Sequence, residues 1–129
     1  LEDNMRITII GCGNMGRALA SCLSKSHELL FYDHTPGKSK ALQQEGFGKA
    51  LETTDMLSEI VILAVKPQNL KEVSEKIHIK KGQILVSILA GTSISALKAC
   101  FKEAAIIRMM PSMAVTYGAG IVGISSEEA

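Results

Sequence analysis

Tryptophan is absent from this 129-residue chain, and aromatic residues make up only 4% of it against 47% hydrophobic residues in total. A core built from it must be aliphatic, of Ile, Leu, Val, Ala and Met. Cysteine is scarce: Cys12, Cys22 and Cys100 are odd in number and lack metal-ligand spacing, which excludes a disulfide framework and a zinc site. A surplus of one charge is missing too. The 14 Lys and Arg against 13 Asp and Glu leave a net charge of +1, with the basic residues scattered, so nothing recruits nucleic acid or a membrane surface. No apolar run approaches the ~20 residues of a membrane span, and no signal peptide is visible. The chain reads as soluble and cytoplasmic, of a size that fits one domain with a core needing neither disulfides nor metals. His27, His34 and His78 fall in loops or at helix ends, pair with no carboxylate at a telling spacing, and take no catalytic role.

What is present begins with a β-branched run, Arg6-Ile7-Thr8-Ile9-Ile10, that empties into Gly11-Cys12-Gly13-Asn14-Met15-Gly16. An amphipathic helix follows, with Met15, Ala18, Leu19, Cys22 and Leu23 on one stripe. G-x-G-x-x-G between a strand and a helix is the fingerprint of a dinucleotide site. Gly11 allows the tight turn, Gly13 lets a pyrophosphate approach the backbone, and Gly16 lets the helix pack close to the strand. The helix N-terminus offers N–H groups and partial positive charge to the phosphates. Cys12 has two readings: a thiol acidified by that helix end, or simply the variable residue between two glycines. Cys22 and Cys100, on apolar helix faces, read as small core hydrophobes.

Strands and helices alternate along the rest of the chain. Leu29–Tyr32 reads as a strand ending at Asp33. Thr35 and Pro36 look like an N-cap and first helical position, with a short polar helix over residues 37–44 stopped by Gly46. A weak strand over Lys49–Leu51 precedes a helical turn near Thr54-Asp55. Ile60–Val65 is apolar on both faces, as a central parallel strand requires. After Lys66-Pro67, a helical stripe runs through Leu70, Val73 and Ile77. Ile84–Ile88 is a buried strand, Ser95–Phe101 a helix with Ile94, Leu97 and Phe101 inward, and Ala105–Met109 a strand that breaks at Pro111. Ile121–Ile124 is a last short strand before a polar tail, Ser125-Ser126-Glu127-Glu128. This alternation specifies an α/β, Rossmann-type doubly wound, mostly parallel sheet with helices on both faces, over residues 5–125.

Four motifs in order, G-x-G-x-M-G-x-A from Gly11, Val65-Lys66-Pro67-Gln68, Ile88-Leu89-Ala90-Gly91-Thr92-Ser93 and Arg108-Met109-Met110-Pro111, resemble those of the pyrroline-5-carboxylate reductase family from about Arg6 to Ile124. The resemblance implies the N-terminal cofactor-binding domain of an oxidoreductase of proline biosynthesis, using NADPH or NADH. It puts the pyrophosphate on Ile10, Gly11, Cys12, Gly13, Asn14 and Met15. Ala64, Val65, Lys66 and Pro67 would surround the ribose and nicotinamide, and Ile88, Leu89 and Ala90 would line the nicotinamide pocket. Gly91, Thr92, Pro111 and Ser112 would face a small-molecule imine substrate. Each of the strand-end residues falls where open α/β sheets bind ligands. No catalytic side chain is assigned, since a protonated imine is already electrophilic and the hydride belongs to the cofactor.

Two departures stand out. The family has Asn after the proline and a second Pro two residues on, where this chain has Ser112 and Ala114. The family also carries a second, all-helical domain that forms the dimer and supplies most of the substrate pocket; the chain is expected to lack it and to be inactive without it. Asp33 falls near the ~20-residue offset of a ribose-binding carboxylate, which favours NADH. His34, with Thr35, Lys38 and Lys40, can receive the 2′-phosphate of NADPH if Asp33 turns away. Two other readings are open: another small reductase of the 6-phosphogluconate-dehydrogenase type, or a non-catalytic nucleotide-sensing module.

Overall fold

β-branched residues at Ile7, Thr8, Ile9 and Ile10 favour extended backbone. In the computed structural model, which describes residues 5–55, 57–111 and 121–126, they form an interior strand, β1 (Arg6–Ile10). The other strands are β2 (Glu28–Tyr32), β3 (Lys49–Ala50), β4 (Ile60–Leu63), β5 (Ile84–Ser87), β6 (Ala105–Pro111) and β7 (Ile121–Ser126). They make one sheet in the order β3-β2-β1-β4-β5-β6-β7, parallel except for β7, which runs antiparallel to β6. Between them lie α1 (Asn14–Leu23), α2 (Pro36–Gln44), α3 (Leu70–Lys76), preceded by a 3-10 turn over Pro67–Asn69, and α4 (Ile94–Cys100).

The two-residue period of the strands sends alternate side chains to opposite faces. Ile7 and Ile9 of β1, Leu29 and Phe31 of β2, Ile62 and Val86 meet Leu19 and Ala20 of α1 and Leu42 of α2 on one face. Ile10, Val61, Leu63, Leu85 and Ile106 meet Val73 of α3 and Leu97 of α4 on the other. Helices therefore cover both faces, and the interior strands between them are mostly apolar, with Thr8 and Ser87 as buried exceptions. Each fully buried Leu or Ile contributes roughly 1.5–3 kcal/mol, so a mostly aliphatic core, joined by Phe31 and Phe101, suffices. The expected α1 stripe is in place, Leu19 fully buried and Met15, Ala18, Cys22 and Leu23 at its margin. Cys100 borders the opposite cluster.

One polar pair lies inside. Thr8 Oγ1 and Ser58 Oγ are 2.8 Å apart, and Ser58 N–H donates to Thr8 Oγ1 at 3.0 Å, pinning the β3–β4 connection to β1. On the surface, the Arg17 guanidinium of α1 forks onto the Glu45 carboxylate at the end of α2 and lies over the Phe47 ring.

The structure differs from the sequence-based expectation at several element ends. β6 does not break before Pro111 but runs through it, with a bulge between Met109 and Met110; proline is tolerated at such an irregular strand end. β7 continues through Ser125 and Ser126, which pair with Arg108 and Ile107, so the first half of the polar tail is strand. The stretch near Thr54-Asp55 is bent, not helical. Its Thr54 hydroxyl donates to the Lys76 carbonyl at the end of α3, at 3.0 Å. β4 stops at Leu63, two residues early, because its neighbour β1 has already turned away at Gly11. Thr35 is the N-cap of α2, but its hydroxyl makes no capping bond, and the helix starts at Pro36. Gly46 does end that helix, with φ +86° and its N–H on the Gln43 carbonyl. A cap the sequence reading missed is Ser93, whose hydroxyl accepts the Ala96 N–H at 3.1 Å.

Candidate functional site

β1 has β2 on one side and β4 on the other, so the chain reverses its direction across the sheet at this strand. A crevice opens there beyond the carboxyl ends, the usual ligand position in open α/β sheets. Its walls are Ile10 and Gly11 from β1 and its loop, Tyr32, Asp33 and His34 from the end of β2, Val65 after β4, and Glu72, Val73, Lys76 and Ile77 on and after α3.

The glycine loop owes its shape to two close approaches and one open position. Gly11 has φ +101°, and a Cβ on it would come within 2.7 Å of the Ala64 carbonyl carbon. A Cβ on Gly16 would fall deep inside the van der Waals shell of the Gly11 carbonyl oxygen. Only glycine allows α1 to start this close to β1. Gly13, by contrast, has nothing within 4 Å of the position a Cβ would take, and it caps α1 without a side-chain bond. The loop is thus closed on its protein side at Gly11 and Gly16 and open at Gly13, beside the N–H groups of Asn14 and Met15 that have no intrahelical acceptor. That is the form of a cradle for an anion.

Hydrogen bonds fix the loop to its neighbours. Gly11 N–H donates to the Tyr32 carbonyl at 2.9 Å, and Ala64 N–H to the Ile10 carbonyl at 2.8 Å. Asp33 is nearly buried, its side chain 7% exposed. Its Oδ2 accepts the Cys12 N–H at 2.8 Å and its Oδ1 the Thr35 N–H at 2.8 Å. His34 Nδ1 lies 3.5 Å from the same Oδ1. Cys12 is buried with its Sγ 3.7 Å from the Tyr32 carbonyl. Burial, and then the Asp33 charge, push its thiol up to about 12, with Lys38 opposing. The helix end does not acidify it, and Cys12 is a packing residue.

The remaining strand-end residues sit one and two strands along. Ala64 and Val65 border opposite faces of the sheet. Lys66 is exposed and starts the 3-10 turn at Pro67, its carbonyl accepting the Asn69 N–H. Among the described residues it has no ionic partner. β4 and β5 pair Leu63 with Ser87, which brings Ile88, Leu89 and Ala90 alongside Ala64–Pro67. Leu89 is buried, its N–H on the Ser87 hydroxyl at 3.2 Å, and Gly91 and Thr92 follow at the exposed turn. Pro111 ends β6; Ser112 and Ala114 lie outside the described residues. Tyr32, Glu72, Val73, Lys76 and Ile77 line the crevice but escaped the sequence reading, where Val73 and Ile77 registered only as a core stripe.

Among the described residues no group of His, Cys, Asp and Glu is placed to hold a metal ion, and no helix is long and apolar enough to cross a membrane. Residues 6–91 match the family described as NADP oxidoreductase, coenzyme F420-dependent. The chain belongs to that family. Within it, the sequence is similar to pyrroline-5-carboxylate reductases, and the likeness falls on their N-terminal domain. The enzyme of that name from Aquifex aeolicus is 35% identical over 94% of this chain and 48% of its own length. That of Escherichia coli is 31% identical over 93% and 49%. A crystal structure of 1-pyrroline-5-carboxylate reductase from Streptococcus pyogenes superposes with a TM-score of 0.78 at 28% identity, covering 88% of this chain and 45% of that one. The chain spans about half the length of the curated relatives it matches.

Proposed function

We propose that this chain is the cofactor-binding half of a reductase that delivers hydride from NADPH or NADH to the C=N carbon of 1-pyrroline-5-carboxylate, yielding L-proline. The observation that carries the proposal is the glycine cradle at the β1 crevice, closed at Gly11 and Gly16 and open at Gly13, with the Val65-Lys66-Pro67 and Ile88-Leu89-Ala90 turns beside it. The residues fit a dinucleotide. Backbone N–H groups at Asn14 and Met15 receive the pyrophosphate, and the apolar crevice by Ile10, Tyr32, Val73 and Ile77 takes the adenine. Ala64, Val65 and Pro67 border the ribose and nicotinamide, with Ile88, Leu89 and Ala90 as the far wall. His34, Thr35, Lys38 and Lys40 are the polar groups nearest a 2′-phosphate.

The cofactor, when bound, supplies the hydride; everything else is positioning and exclusion of water. Lys66, exposed and without an ionic partner among the described residues, attracts the cofactor's phosphates or the substrate carboxylate. Gly91 and Thr92 face the imine, and the family resemblance assigns Pro111 and Ser112 to the same substrate side. A helical domain of the kind the family resemblance implies completes the substrate pocket and makes the homo-oligomer, in the cytoplasm. Positioning of the two reactants is worth roughly 7–11 kcal/mol of barrier, so residues 1–129 alone bind nucleotide but do not turn over substrate at a useful rate.

The test is twofold. Calorimetric titration of residues 1–129 with NADPH and NADH should give saturable binding. Proline formation from pyrroline-5-carboxylate should require the protein carrying the helical domain. Saturable binding with no reduction of this imine by the longer protein would turn the assignment to another small reductase or to a sensing module.

A further inference from the structure

We infer that Asp33 is a positioning residue: its carboxylate holds the glycine loop in its binding shape before any nucleotide arrives, and is not the acceptor for the adenosine ribose. The inference rests on the nucleotide-binding reading above. Its geometric basis is that both carboxylate oxygens are already engaged, each at 2.8 Å, by backbone N–H groups from two segments twenty-odd residues apart, Cys12 in the glycine loop and Thr35 at the start of α2. Hydrogen bonds to an ionised acceptor are about twice as strong as neutral ones, and these two are shielded, the side chain being 7% exposed.

Successive loop amides are tied to the end of β2, Gly11 to the Tyr32 carbonyl and Cys12 to Asp33. The next amides, of Asn14 and Met15, have no intrahelical acceptor and stand beside the open position at Gly13. A loop held in this way pays little ordering entropy on binding. The chemistry also explains why a carboxylate stands at this position despite the negative charge of the incoming phosphates. An Asn side chain has one acceptor and one donor group, so one of the two N–H groups would face another donor. Each carboxylate oxygen keeps a lone pair, but a side chain only 7% exposed gives a ligand little access to it, so recognition of the ribose 2′ position passes to His34 and the polar groups after it.

The experiment combines amide exchange with a ligand cycle on residues 5–126 within the full chain. In the unsubstituted protein, the Cys12 and Thr35 amides should exchange at least tenfold more slowly than the Asn14 amide. In Asp33→Asn, protection at Cys12 and Thr35 should drop about tenfold while Leu85 and Ile106 stay protected. ADP and 2′-deoxy-ADP should then lose affinity in parallel, about tenfold each, leaving their ratio within twofold of the unsubstituted protein. A ratio that collapses towards one in Asp33→Asn would identify a ribose contact and overturn the inference. Unprotected Cys12 and Thr35 amides in the unsubstituted protein would also overturn it, and need no variant to fold. If ADP fails to bind the unsubstituted protein at all, the nucleotide site falls, and this role with it.

Discussion

Gly13 and Gly16 lie three residues apart in one motif, yet the structure predicts opposite failures when each is substituted. At Gly13 the backbone angles, φ −80° and ψ −156°, suit any L-residue, and the space a Cβ would enter is empty for 4 Å. Gly13→Ala should cost no more than about 1 kcal/mol, the difference between Gly and Ala at an N-cap. Gly13→Val, equally tolerated by the fold, fills the ligand's approach and should weaken NADPH binding at least tenfold, about 1.4 kcal/mol. Gly16→Ala gains up to ~1 kcal/mol of helix propensity but drives a methyl into the Gly11 carbonyl oxygen. The obstacle is backbone, and Gly11 is itself wedged against Ala64, so nothing flexible yields. Overpacking of this kind costs roughly 1–3 kcal/mol; at its upper end, a net loss of about 2 kcal/mol remains. For a domain of this size that lowers Tm by roughly 6–10 °C. Scanning calorimetry and NADPH titration on the two variants give four numbers. A folded Gly13→Val that binds NADPH undiminished, or a Gly16→Ala as stable as the parent, would refute the account of the cradle.

Other outcomes follow from the interior and the surface. Thr8→Val should lower unfolding free energy by roughly 1–3 kcal/mol, because it strands the Ser58 N–H and hydroxyl in the core; urea titration measures it, and a loss under 0.5 kcal/mol would contradict the buried pair. The Cys12 thiol, pushed up to about 12, should be alkylated by iodoacetamide at pH 8 more slowly than Cys22 and Cys100, read by mass spectrometry of the peptides. Its folded-state value lies above that of the unfolded chain, near 9, so its contribution to stability is full below pH 9 and is lost as pH rises towards 12. Cys12→Ala should remove part of the alkaline fall seen in denaturation at pH 8 and 10. The half-exposed Arg17–Glu45 pair should couple by less than about 1 kcal/mol in a double-mutant cycle, more weakly still in 1 M salt.

The parts of the fold that were legible are those where local chemistry and burial agree. The β-branched run of β1 and the glycines behind it identify strand, turn and helix together. Ile60–Leu63 and Ile84–Ser87 announce interior strands by being apolar on both faces. Illegible features depend on which partner claims a group. Ser125 and Ser126 have no strand pattern of their own and extend only because β6 offers Arg108 and Ile107 as partners. Thr35 looks like a capping residue, but the carboxylate two residues before it takes its N–H, and its hydroxyl makes no cap. The same carboxylate marks the limit for the site. The offset of Asp33 from the glycines points correctly to the crevice, but no local pattern reveals that a loop amide 21 residues earlier would claim it.

The position of β1 in the sheet has a consequence for the birth of the molecule. It leaves the ribosome before either of the strands that flank it. β2 follows within about twenty residues, but β4, which closes its other edge, comes roughly fifty residues after it. At about 5–20 residues per second, one edge of a strand as apolar as Ile7–Ile10 waits several seconds for its partner. During that interval the nascent chain exposes a sticky, half-paired ribbon. Chaperones of nascent chains should engage it there, and slowed translation between residues 30 and 60 should raise aggregation more than the same pause placed later.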